Sequence, residues 1–262
     1  MGLEIQDTTT YSMLMASDQL LIAQYYEYLE YMTRKLIDEY ELWSIKLNII
    51  KTKYVAIGDK SRDLQLEDGK GKISHVSECV SLGVRINKDE NHESEINDRI
   101  NKGRAAISTL NTILWDRDVT SKTKTHIYHA VVKSTITYAA EKWCLETKTV
   151  AKLNSTKMDF WRRSDRISRT DKIRNTIIKQ KMDVTRSLLD DIKTKQLQWY
   201  GHVQRMEKGR LPKEVKKWRP PGRRKRGRPK LTWAEEIKGL RGENGLMEED
   251  WNDRSNWRKK II

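Results

Sequence analysis

The sequence of 262 residues carries 52 lysines and arginines against 37 aspartates and glutamates, a formal net charge of +15 at pH 7. Residues 208–262 hold 18 basic and 8 acidic side chains, which predicts a polyanion-binding end joined to a less charged body. Cys79 and Cys144 are too few and too far apart for a zinc site or a disulfide framework, and no apolar run is long enough to span a bilayer. We therefore expect an intracellular protein, nuclear or cytoplasmic, that has no membrane partner.

Residues 1–90 alternate short apolar runs with polar turns, which predicts a small α+β unit. Residues 11–23 are expected to form two short strands around a polar turn at 16–18. A helix should follow, with one apolar face made of Leu29, Met32, Leu36, Tyr40 and Trp43. Further strand-like pieces are expected at 44–49, 53–57, 71–76 and 79–86.

From Glu93 the apolar periodicity becomes helical. The polar run at 118–121 predicts a break and the N-cap of a second helix. A third helix is expected around 150–161, and a fourth should begin at a cap on Asp183 and end near Arg205. The apolar faces of the first two helices would consist of Ile96, Ile100, Ile107, Leu110 and Leu114, and of Ile127, Val131 and Tyr138.

Residues 208–230 combine dense positive charge with prolines. Because Pro212, Pro220, Pro221 and Pro229 oppose a continuous helix, we expect an extended basic linker here. Residues 231–262 are expected to form short helices anchored by Trp233, Trp251 and Trp257.

Nucleic acid is the polyanion that this linker fits best, because basic side chains gain free energy by releasing condensed counterions. A solvated linker or a nuclear-localisation signal is the alternative. The core Arg226-Gly227-Arg228-Pro229 is similar to an AT-hook, in which an extended chain lies in a narrow minor groove. The expected partner is DNA or RNA. The candidate contacts are Lys216, Lys217, Arg219, Arg223, Arg224, Lys225, Arg226, Arg228 and Lys230.

The histidines do not predict a metal site. His126 and His129 lie three residues apart on an expected helix, but without a third ligand nearby packing or solvent exposure is favoured over metal binding. His202 follows Trp199 and Tyr200, so it could stack on bases. A place in the hydrophobic core is the favoured interpretation.

A series of short motifs occurs in a fixed order along the chain. They are Leu14-Met15-Ala16-Ser17-Asp18-Gln19, Leu47-Asn48 with Lys51-Thr52-Lys53, Ser81-Leu82-Gly83, Tyr138-Ala139-Ala140-Glu141-Lys142-Trp143, 197–206, and 222–233 followed by Asp250-Trp251 and Trp257-Arg258. In order and spacing they resemble the C-terminal part of a non-LTR (LINE-like) retrotransposon endonuclease–reverse transcriptase of the insect type. The resemblance covers nearly the whole chain.

This resemblance implies an α+β fold in which a partial reverse-transcriptase palm precedes a mainly α-helical thumb and C-terminal region. Leu82 and Gly83 would belong to a primer-grip-like hairpin, and the family's activity is RNA-directed DNA polymerisation. The implied domains are a partial palm at 1–90, a helical thumb or connection at 91–207, the basic linker at 208–230 and short C-terminal helices at 231–262.

Departures from the family pattern decide the expected activity. The family's catalytic hairpin holds a metal pair, normally Mg²⁺, on adjacent aspartates for nucleotidyl transfer. Here Ser17 replaces the first aspartate and Asp18 is a remnant, while the family's other palm carboxylate is expected before Met1. Ser81 replaces a primer-gripping aromatic residue, and Ala139 replaces a glycine. We expect no polymerase activity from this fragment alone and no cofactor.

Three hypotheses follow. The first is a catalytically inactive reverse-transcriptase remnant that still binds nucleic acid. The second is a host-recruited DNA-binding protein that uses the AT-hook-like core. The third is a pseudogene product without a stable fold, because exposed strand edges in a partial palm invite aggregation.

Overall fold

The computed structural model describes residues 1–6, 8–57, 62–66, 71–88, 92–218 and 232–262. These residues fall into two compact units, one drawn from Met1–Asn91 and Met206–Lys225, the other from His92–Arg205 and Arg226–Ile262. Each unit has its own cluster or clusters of buried apolar side chains. Within the described ranges, no helix is both long enough and apolar enough to cross a membrane.

Short antiparallel pairs open the first unit. β1 (Leu3–Ile5) pairs with β2 (Thr8–Thr10), and β3 (Ser12–Met15) pairs with β4 (Asp18–Leu21). The hairpin expected at 11–23 is thus confirmed. β4 leads through a short connection to the helix α1 (Tyr26–Leu42).

The later strands form a small mixed sheet and a second hairpin. β5 (Lys53–Tyr54), β6 (Leu64–Gln65) and β7 (Lys72–His75) lie in the order β5-β7-β6, with β5 parallel and β6 antiparallel to β7. β8 (Glu78–Ser81) pairs antiparallel with β9 (Val84–Asn87). The single strand-like piece expected at 79–86 therefore folds back on itself at 82–83.

The core of the first unit is small. It consists of Ile37 from α1 together with Leu64, Leu66 and Ile73 from the β6–β7 region. Trp43 was expected on the apolar face of the helix, but it lies just beyond the end of α1 and its side chain is 75% exposed. Trp43 has the spacing of the apolar face, but the spacing alone does not show that the helix ends one residue earlier.

Residues 44–49 contain no strand, contrary to the sequence-based prediction. Ser44 has a left-handed φ of 57°. The side chain of Asn48 accepts a hydrogen bond from the backbone N–H of Lys51 at 3.1 Å. Because an asparagine side chain can mimic a turn of the backbone in this way, it competes with strand pairing at this position.

Helices build the second unit. In chain order they are α2 (Glu93–Thr109), α3 (Asn111–Trp115), α4 (Ser121–Ile127), α5 (Ser134–Ile136), α6 (Thr147–Ser164), α7 (Asn175–Lys181) and α8 (Leu188–Arg205). α9 (Leu211–Lys217) belongs to the first unit, and α10 (Trp233–Glu243) and α11 (Arg254–Lys260) return to the second.

Two apolar clusters stabilise the second unit. The larger joins α2 to α8 and contains the aromatic residues Tyr128, Trp143, Phe160 and Trp161, all less than 2% exposed. The smaller joins the end of α8 to α10 and α11, around Trp257. Trp233 and Trp251 pack against this second cluster, which confirms the anchoring role expected for the C-terminal tryptophans.

The boundary and buried face of the second expected helix are only partly as predicted. Thr120 caps α4 by accepting a hydrogen bond from the backbone N–H of Thr123, which confirms the expected N-cap. A π-helical segment, Tyr128–Lys133, joins α4 to α5. The side chains that face the core are Lys124, Tyr128, Val132 and Ile136, whereas the expected Val131 and Tyr138 are exposed. The buried side chains keep the four-residue spacing of a helix face, but they lie one residue after the expected Ile127 and Val131.

The fourth expected helix is α8, which begins later than predicted. Asp183 does not cap it, because this residue has a left-handed φ of 50° just after the end of α7. α8 begins instead behind Ser187. The Ser187 hydroxyl accepts from the backbone N–H of Asp190 at 3.0 Å, and the Asp190 carboxylate accepts from the Ser187 N–H at 2.8 Å. This reciprocal pair is a helix start signal with Asp in the place of Glu.

The basic linker was predicted to be extended throughout, but it is not. Its first part forms α9, in which Pro212 occupies the first turn. A proline there costs no hydrogen bond, because the first N–H groups of a helix have no intrahelical partner. Residues 219–230 of the linker, including the AT-hook-like core, lie outside the described residues.

Candidate nucleic-acid interface

The β3–β4 hairpin carries the motif that resembles the family's catalytic hairpin. Met15 pairs with Asp18, which leaves Ala16 and Ser17 as the connecting turn, and Ala16 has a left-handed φ of 52°. Ser17 and Asp18 are both exposed at this tip. The next residue, Gln19, accepts a hydrogen bond from the hydroxyl of Tyr40, which ties the hairpin to α1.

One carboxylate, Asp18, stands at the hairpin tip. A serine hydroxyl is neutral and cannot supply the second anionic ligand of a metal pair. Among the described residues there is no group of three or more histidine, cysteine, aspartate or glutamate side chains that could hold a metal ion. The hairpin therefore has the geometry of the motif but not its full set of charges.

The primer-grip-like residues form the tip of the β8–β9 hairpin. Leu82 and Gly83 have φ values of 49° and 75°, so both central residues of this two-residue loop are left-handed. That combination is typical of the tight turns that match the twist of paired strands. Leu82 is 51% exposed at the tip. The glycine is required here by its positive φ.

Residues 138–143, the segment with the Tyr-Gly-x-Glu-x-Trp-like motif, are built into the core of the second unit. Ala140 and Trp143 are completely buried. Ala139 has a left-handed φ of 56°, a conformation that glycine adopts more readily than alanine. Tyr138 is exposed, and the guanidinium of Arg99 lies 4.4 Å from the centre of its ring.

Side chains from α8 and α10 hold this segment by its backbone carbonyls. Lys195 Nζ donates to Thr137 at 2.8 Å, and Gln196 Nε2 donates to Trp143 at 2.6 Å. The indole N–H of Trp233 donates to the carbonyl of Glu141 at 2.7 Å. The motif therefore contributes to structure, because its polar backbone is satisfied by side chains in an otherwise apolar environment.

α8 has a buried face and an exposed aromatic face. Leu197 and Tyr200 are buried in the smaller cluster, and Val203 is buried as well. Trp199 and His202 are exposed on the other side, with ring centres 5.7 Å apart. The sequence favoured a core position for His202, and this prediction is wrong. The side chain of His202 lies on the exposed side of α8, away from the buried face.

The basic side chains are described only in part. Lys216 and Lys217 lie in the last turn of α9, and Lys217 Nζ is 3.7 Å from the carboxylate of Glu214. Glu214 also accepts a hydrogen bond from the backbone N–H of Gly209 at 3.2 Å. The other predicted contacts, Arg219, Arg223, Arg224, Lys225, Arg226, Arg228 and Lys230, lie outside the described residues.

Sequence reasoning missed two buried lysines of the second unit. Lys124 is 3% exposed and donates to the carbonyls of Asp116 and Ser164, at 2.8 Å and 3.2 Å. Burial lowers the pKa of Lys124 from its usual value. Lys157 is also 3% exposed and donates to the carbonyl of Arg186. Four-residue spacing from apolar neighbours was the available signal, but lysine is usually a surface residue.

A half-buried thiol and carboxyl, Cys144 and Glu236, form a further pair that the sequence did not indicate. Partial burial, together with the neighbouring carboxylate of Glu236, raises the pKa of Cys144 to about 12. Burial also raises the pKa of Glu236. A thiol with so high a pKa is a poor nucleophile, because the thiolate is the reactive form. The pair therefore gives no support to cysteine catalysis.

One known protein is similar to this chain along most of its length. A transposon-derived protein of Caenorhabditis elegans is 26% identical over 264 residues, which cover 92% of this chain and 91% of that protein. No protein-family model matches the sequence, and no solved structure matches it. The similarity indicates an origin in a transposable element.

Proposed function

We propose that this protein is a retrotransposon-derived reverse-transcriptase fragment that lacks polymerase activity on its own and retains nucleic-acid binding. The domains would be a partial palm, a helical thumb, a basic linker and short C-terminal helices. DNA or RNA would be its partner, and the basic side chains of 208–230 would make the phosphate contacts. The similarity to a transposon-derived protein supports the first part of this proposal.

The exposed β3–β4 tip is the observation that carries the proposal. A motif of the catalytic-hairpin type forms a hairpin there, yet Ser17 stands where a metal-binding aspartate would be needed. Asp18 alone offers a single carboxylate, whereas two-metal nucleotidyl transfer needs several anionic oxygens around a metal pair. Loss of the first carboxylate removes catalysis without removing positive charge elsewhere in the chain.

A primer-extension assay tests this function. The full chain is mixed with an RNA template, a labelled DNA primer and nucleotides, in Mg²⁺ or in Mn²⁺, beside an active reverse transcriptase as positive control. We expect no extension in either metal, while the same preparation shifts the primer–template in a gel. Extended products would show that the inactivity claim is wrong, and failure to shift the duplex would show that binding is not retained.

An AT-hook-like sequence favours a second candidate function, that of a host-recruited DNA-binding protein. In Arg226-Gly227-Arg228-Pro229, glycine would permit close approach to a groove floor and the arginines would meet its negative potential. This function predicts a preference for A·T-rich duplex that a general electrostatic contact does not have.

A further inference from the structure

A cavity of about 550 Å³ opens between α6 and α7 in the second unit. Its lining is strongly basic for its size. The charged side chains in the lining are Lys157, Arg162, Arg169, Lys179 and Asp159, that is, four cations and one carboxylate. None of these residues belongs to the basic linker at 208–230, so the charge of the cavity comes from other parts of the sequence.

Lys157 is the most buried cation of the cavity. Its side chain is almost completely buried, and Nζ donates to the carbonyl of Arg186. The pKa of Lys157 is lowered to about 8, mainly because burial disfavours the charged ammonium; Asp191 opposes this shift and the positive charge of Lys179 adds to it. An ammonium group that is desolvated and repelled by a second ammonium costs folding free energy. An anion between the two groups would recover part of that cost.

The arginines of the cavity are held in place by neighbouring groups. Arg162 donates to the carbonyl of Ile173 at 2.8 Å and to the side chain of Asn175 at 2.7 Å. Arg169 is exposed at the rim, 3.6 Å from the carboxylate of Asp159. Asp159 also pairs with Arg163 at 3.1 Å, so its single charge is shared between two guanidinium groups.

We propose that this cavity is a phosphate-binding site. Four cations against one carboxylate leave three positive charges, which match a multiply charged small phosphate, or several neighbouring phosphodiesters of a strand, better than the single charge of a carboxylate ligand. Guanidinium groups also suit phosphate, because their planar forks donate two parallel hydrogen bonds to its oxygens. Asn154 and Ser155, which line the same cavity, can donate further neutral hydrogen bonds.

The phosphate could belong to a nucleic-acid strand or to a small phosphorylated molecule, and the two sources can be separated by experiment. This site goes beyond the proposed function, because none of its residues belongs to the basic linker. Inorganic pyrophosphate, measured by calorimetry, probes the small ligand. A fluorescein-labelled oligothymidylate, measured by anisotropy, probes the strand.

The test variant of the full chain combines Lys179→Gln with Arg169→Gln. Both side chains are exposed, so the fold should be kept, and circular dichroism checks it. The matched control combines Arg117→Gln with Lys122→Gln, which removes the same charge from exposed positions of the second unit outside the cavity. Each charge-assisted hydrogen bond contributes on the order of tenfold in affinity.

We expect the test variant to weaken pyrophosphate binding at least about tenfold and the control to change it less than about twofold. A parallel loss of oligothymidylate affinity would assign the phosphate to a strand, and loss of pyrophosphate binding alone would assign it to a small molecule. Equal effects of the two variants on both probes, or no binding of either probe by the wild type, would overturn the proposal. Lys216→Gln with Lys217→Gln should weaken oligothymidylate binding only, which separates this site from the basic linker.

Discussion

Gly201 of α8 leaves the space that the indole of Trp257 of α11 occupies. A Cβ atom at position 201 would lie 2.4 Å from Trp257 Nε1, well inside van der Waals contact. The same Nε1 donates a hydrogen bond to the carbonyl of Leu197 at 3.1 Å. The glycine of the motif at 197–206 is therefore required for packing, which accounts for it without a role in binding.

Gly201→Ala should destabilise the protein. The added methyl group must push the buried indole away, and overpacking of this kind costs about 1–3 kcal/mol. Chemical denaturation, followed by tryptophan fluorescence, measures the change in the free energy of unfolding.

Gly239→Ala is the matched control for that substitution. Gly239 also lies inside a helix, α10, but a Cβ there would meet nothing within 4 Å. Without a clash, alanine should stabilise the helix by about 0.5–1 kcal/mol. Equal effects of the two substitutions would show that Trp257 does not constrain position 201.

Ala139→Gly should stabilise the protein, the opposite of what glycine does in a helix. Ala139 has a φ of 56°, and an L-residue pays roughly 1–2 kcal/mol for the left-handed conformation. Glycine loses about 0.4–1 kcal/mol of this gain through its freer unfolded chain, which leaves a net gain of about 0.5–1 kcal/mol. Thermal unfolding of the variant gives the sign directly.

Ala105→Gly, in the exposed middle of α2, serves as the reference for Ala139→Gly. It should lose about 0.5–1 kcal/mol, because glycine there brings only its entropy cost. If Ala139→Gly also lowered the melting temperature, the left-handed conformation at position 139 would not be a strained one.

The sequence predicted elements whose signals are local. Short apolar runs around a polar turn predicted the hairpin at 11–23, and the polar run at 118–121, which contains Thr120, predicted the start of α4. It failed where one signal has two meanings. Pro212 was taken to oppose helix, but in the first turn of α9 it begins one. The buried face of α4–α5 was misplaced by one residue, because it includes Lys124 and lysine is usually a surface residue.

The candidate site was predictable to a different degree. Motif order placed Asp18, Leu82 and Gly83 at hairpin tips, which is where the structure has them. Exposure of His202 and burial of Lys157 were not foreseen. Both depend on which side of a helix meets its neighbours, and that is fixed by long-range packing, which spacing along one helix cannot specify.

Lys157 should make stability depend on alkaline pH. Its pKa is lowered by burial to about 8, so between pH 8 and the ordinary lysine pKa of 10.5 the unfolded chain holds a proton that the folded chain has lost. The free energy of unfolding that is due to this group therefore rises with pH across that window. Lys157→Met removes this contribution.

Urea denaturation of the wild type and Lys157→Met at several pH values between 7 and about 10 measures the effect. The stability of the wild type relative to the variant should increase with pH, while other titrating groups cancel in the comparison. A difference that stays constant or decreases would mean that Lys157 keeps an ordinary pKa in the folded state.

Arg226→Ala with Arg228→Ala tests the AT-hook-like core. If this core reads a narrow minor groove, the wild type should prefer A·T-rich over G·C-rich duplex and the double variant should lose that preference. Lys216→Ala with Lys217→Ala is the control, because the loss of phosphate contacts should weaken binding to both duplexes alike. Competition between the two labelled duplexes gives the ratio, and a wild type without preference would reject the minor-groove function.

Retained nucleic-acid binding by the basic linker is the central claim, and the salt dependence of binding tests it most directly. Affinity for a labelled RNA–DNA hybrid is measured by anisotropy between about 50 and 200 mM salt. If about six phosphates are neutralised, log affinity should fall with log salt at a slope on the order of −5. In a variant with the nine candidate basic residues changed to glutamine, most of this slope should be lost. A slope near zero, or an unchanged slope in that variant, would contradict the account.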